Sequence, residues 1–229
     1  MKKLLFALLL VGCGQSIVGS GQLKTTTMPP SGAKTVKFFG FGQLQINQGN
    51  ADTLSITTDD NLLPYLDTRL QGDVLTLDQK SGAHLKPSKD IDYKLTLKGL
   101  DRLDWSGAGK VSLSDIHGPR LVLLAAGAGQ LQLAGLQIEQ LTLDLGGAVN
   151  VVAAGQVKNL NVQGSGAGNL DAKALQAEAV TLKMSGTGNA AVNATATLDA
   201  NLSGVGGVTY FGNPKVNQVV TGIGKISPG

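Results

Sequence analysis

The stretch WSGAGKVS, residues 105 to 112, joins a glycine-rich turn to a lysine. These are the residue types with which a phosphate loop wraps an anion in backbone N–H groups and a positive charge. The details do not fit that chemistry. Val111 stands where a magnesium-binding Ser or Thr is needed, and no glycine lies four residues before Ala108. Gln130, Asn169 and Asn189 occupy the place of Lys110 after sister Gly-x-Gly turns, so the lysine is one variant of a repeated position. Those three amides are candidates for a polar ladder running from copy to copy. Ser114, Asp115 and His117 are the residue types of a nucleophilic triad, but neighbours on one strand or corner do not fall into triad geometry. His84 and His117 are far apart, and Cys13 is the only cysteine, so no metal centre is expected and no cofactor is implied. Asp59-Asp60 is the only adjacent acidic pair, and ahead of Asn61 it is expected to cap a turn.

The elements that would carry these residues recur. From Leu103 the chain divides into seven similar lines, each with alternating apolar residues, a Gly-x-Gly or near equivalent, and two or three further apolar residues. The first glycines fall at 107, 127, 146, 166, 186, 204 and 222, a period of about 20. Short alternating strands at that period predict an all-β fold, a right-handed parallel β-helix in which each strand stacks about 4.8 Å from its counterpart one coil away. Leu121, Leu123, Leu141, Leu143, Leu160, Val162, Val180 and Leu182 are the expected inward residues. A leucine-rich repeat has a similar period but needs a helical convex segment, which QLQLAGLQIEQ and GGVTYFGNPK do not supply. A stacked β-prism or sandwich remains as the alternative.

Composition agrees with many short strands and excludes a helical bundle: 32 glycines with only 4% aromatic residues leave little to pack between helices. Without Lys2 and Lys3 the formal net charge of +3 falls to about +1, and beyond Leu121 five lysines face five acids, so nucleic-acid binding is not expected.

Met1-Lys2-Lys3 followed by the apolar run Leu4 to Val11 has signal-peptide length, too short to span a bilayer. Leu10-Val11-Gly12-Cys13 resembles the bacterial lipoprotein signal. That resemblance implies cleavage before Cys13, a diacylglycerol on its sulfur, and a membrane partner through the lipid anchor. Gly14 in place of Asp implies, by the same resemblance, the outer membrane of a Gram-negative bacterium. Residues 1–12 are then the signal, and residues 13–34, rich in Gly, Ser, Thr and Pro, a flexible tether.

Residues 35–100 are expected to form a β-rich region that caps or extends one end of the coils of residues 101–226. Leu54-Ser55-Ile56 and Tyr93, Leu95 and Leu97 alternate as strands do, a hairpin is expected about Gly72-Asp73, and one helical turn is expected within Asn61 to Leu66. Val36-Lys37-Phe38, Gly42 to Ile46, Leu54 to Leu63, Gly72 to Leu77, Gly212 to Val216 and Gly222 to Ile226 together resemble the family described as putative auto-transporter adhesin, head GIN domain. The resemblance covers about residues 35–226 and implies surface adhesion without catalytic residues.

The expected function is therefore a lipid-anchored envelope binding or scaffold protein without catalysis, taking an envelope protein or polysaccharide as partner. Self-association through a coil end is a further expectation. The alternative is an envelope polysaccharide lyase or hydrolase, which needs clustered carboxylates that the scattered Asp144, Asp171, Glu178 and Asp199 do not suggest.

Overall fold

The computed structural model describes residues 16–229. The signal and Cys13 lie outside the described residues. In chain order the strands are β1 (Ser16–Val18), β2 (Leu23–Met28), β3 (Thr35–Phe38), β4 (Phe41–Gln48), β5 (Thr53–Asp59), β6 (Leu66–Gln71), β7 (Val74–Gln79), β8 (His84–Lys86) and β9 (Asp92–Leu97). The coils follow as β10 (Arg102–Trp105), β11 (Ala108–Ser114), β12 (His117–Ala125), β13 (Ala128–Leu145), β14 (Ala148–Gly164), β15 (Leu170–Met184), β16 (Ala190–Leu202), β17 (Val205–Phe211), β18 (Lys215–Val220) and β19 (Ile223–Pro228). A single 3-10 turn, Leu63–Tyr65, lies where one helical turn was expected.

From β10 onward each strand pairs in parallel with the chain one coil later. Leu103 lies opposite Leu123, Leu123 opposite Leu143, Leu143 opposite Val162, Val162 opposite Leu182 and Leu182 opposite Ala200. This is the expected parallel β-solenoid, with about 20 residues between stacked strands. Period-2 alternation turns every second side chain inward, and the eight predicted inward residues are all buried. Each buried Leu or Val contributes about 1.5–3 kcal/mol relative to exposure. Side-chain volumes compensate between coils: Gly164 leaves space in its column, and Met184 of the next coil occupies it.

The glycine corner follows from close approach of one coil to the next. A Cβ on Gly107, Gly127, Gly147, Gly166, Gly186, Gly204 or Gly222 would collide with the backbone one coil earlier, starting from Gly40. Gly147, not Gly146, therefore holds the third position. The GGAV sequence offers two adjacent glycines, and only the backbone register distinguishes them.

The 35–100 region does not simply precede the coils. β3 and β4 form one level, with β10 and β11 stacked on one side of it and β7 and β9 on the other, all in parallel. The chain thus lays down β3–β4, makes the outer level β7–β9, and returns past β3–β4 to begin the coils. Antiparallel strands finish this end: β6 pairs with β7, β5 with β9, and β2 with β5. The hairpin turn falls at Gly72-Asp73 as expected, with Gly72 at φ 60°.

Within the segment expected as a flexible tether, residues 16–28 hold two strands. β1 pairs with β8 in a small parallel sheet, and β2 is the outermost strand of its face. Asp59-Asp60-Asn61 clamps the connection between them. The buried Asp59 accepts Gly21 N–H (2.7 Å), Ser88 Oγ–H (2.7 Å) and Ser88 N–H (2.8 Å). Asp60 accepts Ser20 Oγ–H (2.6 Å), while Asn61 accepts Ser20 N–H (2.9 Å) and donates to Val18 C=O (2.8 Å). Composition concealed this docking because β2 buries no apolar face: only Met28 is even half-buried, and the strand is held by its ladder to β5.

The Ser88 hydroxyl and N–H hold the Asp59 carboxyl below the usual carboxylate range. A folded value below the unfolded one stabilises the clamp above about pH 3.9, and that contribution is lost as pH falls through the folded value. Hydrogen-exchange protection of Leu23–Met28 should therefore fall on acidification before that of the coils does. Asp59→Ala should speed tryptic cleavage after Lys24 on the order of ten-fold at neutral pH.

Candidate functional site

Polar side chains follow one another from coil to coil after the glycine corner. Lys110 stacks on Gln43 and is followed by Gln130 and Asn150 in register. Hydrogen bonding begins at Asn150, whose Oδ1 accepts both the backbone N–H (3.1 Å) and the Nδ2–H (3.2 Å) of Asn169. Asn169 Oδ1 in turn accepts Asn189 N–H (3.0 Å), and Asn189 Oδ1 accepts Gly207 N–H (2.9 Å). The structure thus joins Asn169 and Asn189, leaves Gln130 in register without a side-chain bond among the described residues, and adds Asn150. Asn150 stands three residues after Gly147, the spacing of its sisters, whereas the same offset from Gly146 falls on Val149. The side-chain carbonyl oxygens of Asn150, Asn169 and Asn189 each accept from the next coil, so these three residues fasten successive corners.

A groove of about 340 Å³ opens where the loops before β3 and β10 meet the start of β12. Stacking of β10 between β3 and β12 makes these three segments neighbours. The groove is lined by Lys34, Lys98, His117 and Arg120, all exposed, over Leu100 and Pro119. Lys34, Lys98 and Arg120 form no ion pair with the described residues. His117 is held by its backbone N–H donating to Gln48 Oε1 (2.8 Å). Two acids are present. Asp52 accepts Gly32 N–H (2.9 Å) and Lys98 N–H (2.8 Å), bonds that hold its carboxyl below the usual range. That leaves Asp101 as the second carboxyl. A glycosidase places two carboxyl groups across the scissile bond, one as acid and one as base or nucleophile; here one of the two is committed to backbone.

A second, shallower groove of about 300 Å³ is lined by Glu139, Lys158 and Glu178. Lys158 meets Glu139 at 3.3 Å with both side chains more than half exposed, a solvated pair of small energetic weight. Among the described residues no group of three His, Cys, Asp or Glu is arranged to hold a metal ion. Ser114, Asp115 and His117 lie along the β11–β12 corner, where Asp115 has φ 57° and His117 Nδ1 faces the Asp115 backbone carbonyl at 3.3 Å rather than its carboxylate. Trp105 is buried between Phe38 of β3 and Ala125 of β12, its strand neighbours.

The family model described as "Putative auto-transporter adhesin, head GIN domain" matches residues 34–214. The chain belongs to that family. Solved structures share the GIN-domain solenoid across nearly its whole length. A "putative adhesin" from Bacteroides fragilis is 23% identical with a TM-score of 0.89, the match covering 93% of this chain and 100% of that one. A "putative lipid binding protein" from Parabacteroides distasonis is 25% identical with a TM-score of 0.75, covering 94% and 100%. A "putative adhesin" from Parabacteroides merdae is 22% identical with a TM-score of 0.66, covering 93% and 99%. No curated protein matches the chain.

Proposed function

We propose that this GIN-domain protein is a lipid-anchored, adhesin-like binding and scaffold module of the cell envelope, without a catalytic step. Cys13 carries the anchor, and the outer membrane of a Gram-negative bacterium is its site. Family membership supports the adhesin-like role. The groove carries the binding reading: Lys34, Lys98, Arg120 and His117 line it against two carboxylates, Asp52 and Asp101, of which Asp52 is held by backbone N–H groups. Its partner is an anionic envelope polysaccharide, whose carboxylate or phosphate groups Lys34, Lys98 and Arg120 pair while Leu100 and Pro119 meet the sugar faces. The rigid stack holds that groove at a fixed height on the solenoid.

Binding is tested with immobilised acidic and neutral polysaccharides. Lys98→Glu combined with Arg120→Glu should weaken retention on the acidic matrix at least about ten-fold, the effect of losing roughly 1.4 kcal/mol. Equal retention of parent and variant would overturn the groove as the site. The anchor is tested by detergent-phase partitioning, in which Cys13→Ser should move the protein from the detergent phase to the aqueous one. Unchanged membrane association would exclude lipidation at that residue.

A further inference from the structure

We infer that the protein stands on the membrane by its β1–β2 end, with that end seated on the lipid surface and the coils directed away from it. The inference rests on lipidation of Cys13 as proposed above, and on the structured segment that replaces the expected tether.

Ser16, the first residue of β1, is only three residues beyond Cys13. Three residues reach at most about 10 Å even when fully extended. A loose segment of some twenty residues would leave orientation undefined. Here the clamp by Asp59, Asp60 and Asn61 and the pairing of β1 with β8 remove that freedom. β2, joined to β1 by the clamped residues 19–22, is also at one extreme of the stack. On one face the order runs β2, β5, β9, β4, β11 and then through the coils to β17 and β19. At about 4.8 Å per step, β19 lies roughly 45–50 Å from β2. A lipid held within about 10 Å of β1 therefore contacts one end and cannot contact the other.

The surface chemistry of the two end strands suits a headgroup layer. Val18 is 65% exposed and Leu23 46% exposed, large aliphatic side chains on strands that also present the exposed Lys24 and Lys86. Lys86 is the strand partner of Val18. Aliphatic groups entering the interface with lysines at the phosphate level is the arrangement that favours interfacial binding. Asp60, the acid beside them, is engaged by the Ser20 hydroxyl.

The test uses the lipidated full-length protein in vesicles of phosphatidylethanolamine and phosphatidylglycerol carrying headgroup nitroxides. Because the sulfur of Cys13 is blocked by lipid, Val18→Cys and Ile223→Cys each give one labelling site. Ile223, 75% exposed on β19, reports the far end. The expected result is at least two-fold quenching of a fluorophore at position 18 and none at position 223. Inserting a twenty-residue Gly-Ser linker between Gln15 and Ser16 should relieve the quenching at 18. Protein that floats with the vesicles but is quenched equally at both positions, or at neither, overturns the orientation while leaving the anchor standing. Protein that stays in the aqueous phase on detergent partitioning overturns the anchor and the orientation together.

Discussion

Gly129→Val should lower the melting temperature by about 10 °C, corresponding to a loss of roughly 3–5 kcal/mol for a chain of this size. Two costs combine at this corner. Gly129 has φ 142°, a conformation that side chains with a Cβ rarely adopt, and its missing Cβ would overlap the carbonyl of Gly109 in the coil below. The obstacle is backbone, which cannot swing aside as a flexible side chain does. Relief would require separating two coils whose strands are hydrogen-bonded along their length, and in a stacked repeat a loosened interface weakens both neighbours. Gly99→Ala is the matched control, since a Cβ there meets nothing within 4 Å. It should change stability by less than about 0.5 kcal/mol. A Gly129→Val protein that melts with the parent would show that the coils can part at the corner at little cost.

Trp105→Ala should cost about 3–5 kcal/mol in urea unfolding, because the largest buried side chain of the protein would leave a cavity that neighbouring backbone cannot close. Its position gives this cavity a specific consequence. Trp105 lies on β10, the first strand after the chain returns from the outer level, and its strand neighbours are Phe38 of β3 and Ala125 of β12. Its loss should therefore weaken the union of the N-terminal end with the coils, and limited proteolysis should cut first around residues 98–101. Trp105→Phe isolates packing from hydrogen bonding. The indole N–H has no partner among the described residues, so phenylalanine removes an unpaired buried donor and should cost no more than about 1.5 kcal/mol. As the only tryptophan, Trp105 also supplies the readout: its emission should be blue-shifted in the folded protein and move red on unfolding. An Ala variant within about 1 kcal/mol of the parent would overturn the junction role.

The groove was hidden from sequence for a physical reason that applies to the clamp as well. Lys34 and Lys98 are separated by most of the inserted region, and nothing in their local pattern distinguishes them from solvated lysines. They meet because β10 stacks on β3 across that insertion. Asp59 and Gly21, and Asp60 and Ser20, are likewise brought together from segments far apart in sequence. Turn-capping was the expected role of Asp59-Asp60-Asn61, but their side-chain oxygens accept from Ser20, Gly21 and Ser88, all distant in sequence.

A period near 20 with alternating Leu and Val pointed, by itself, to a parallel β-solenoid over a β-prism or sandwich and marked which side chains face inward. Side-chain periodicity and backbone register are the same information in a strand, so repetition of the pattern specifies the stack. Glycine at the corner was legible for the same reason, since every coil makes the same close approach. Tertiary structure alone decided the order in which levels stack, the docking of residues 16–28, the choice of Gly147 over Gly146, and the meeting of Lys34, Lys98, His117 and Arg120. Each of these depends on contacts between segments that do not repeat, and the entropic cost of closing such contacts grows only slowly with the length of chain between them.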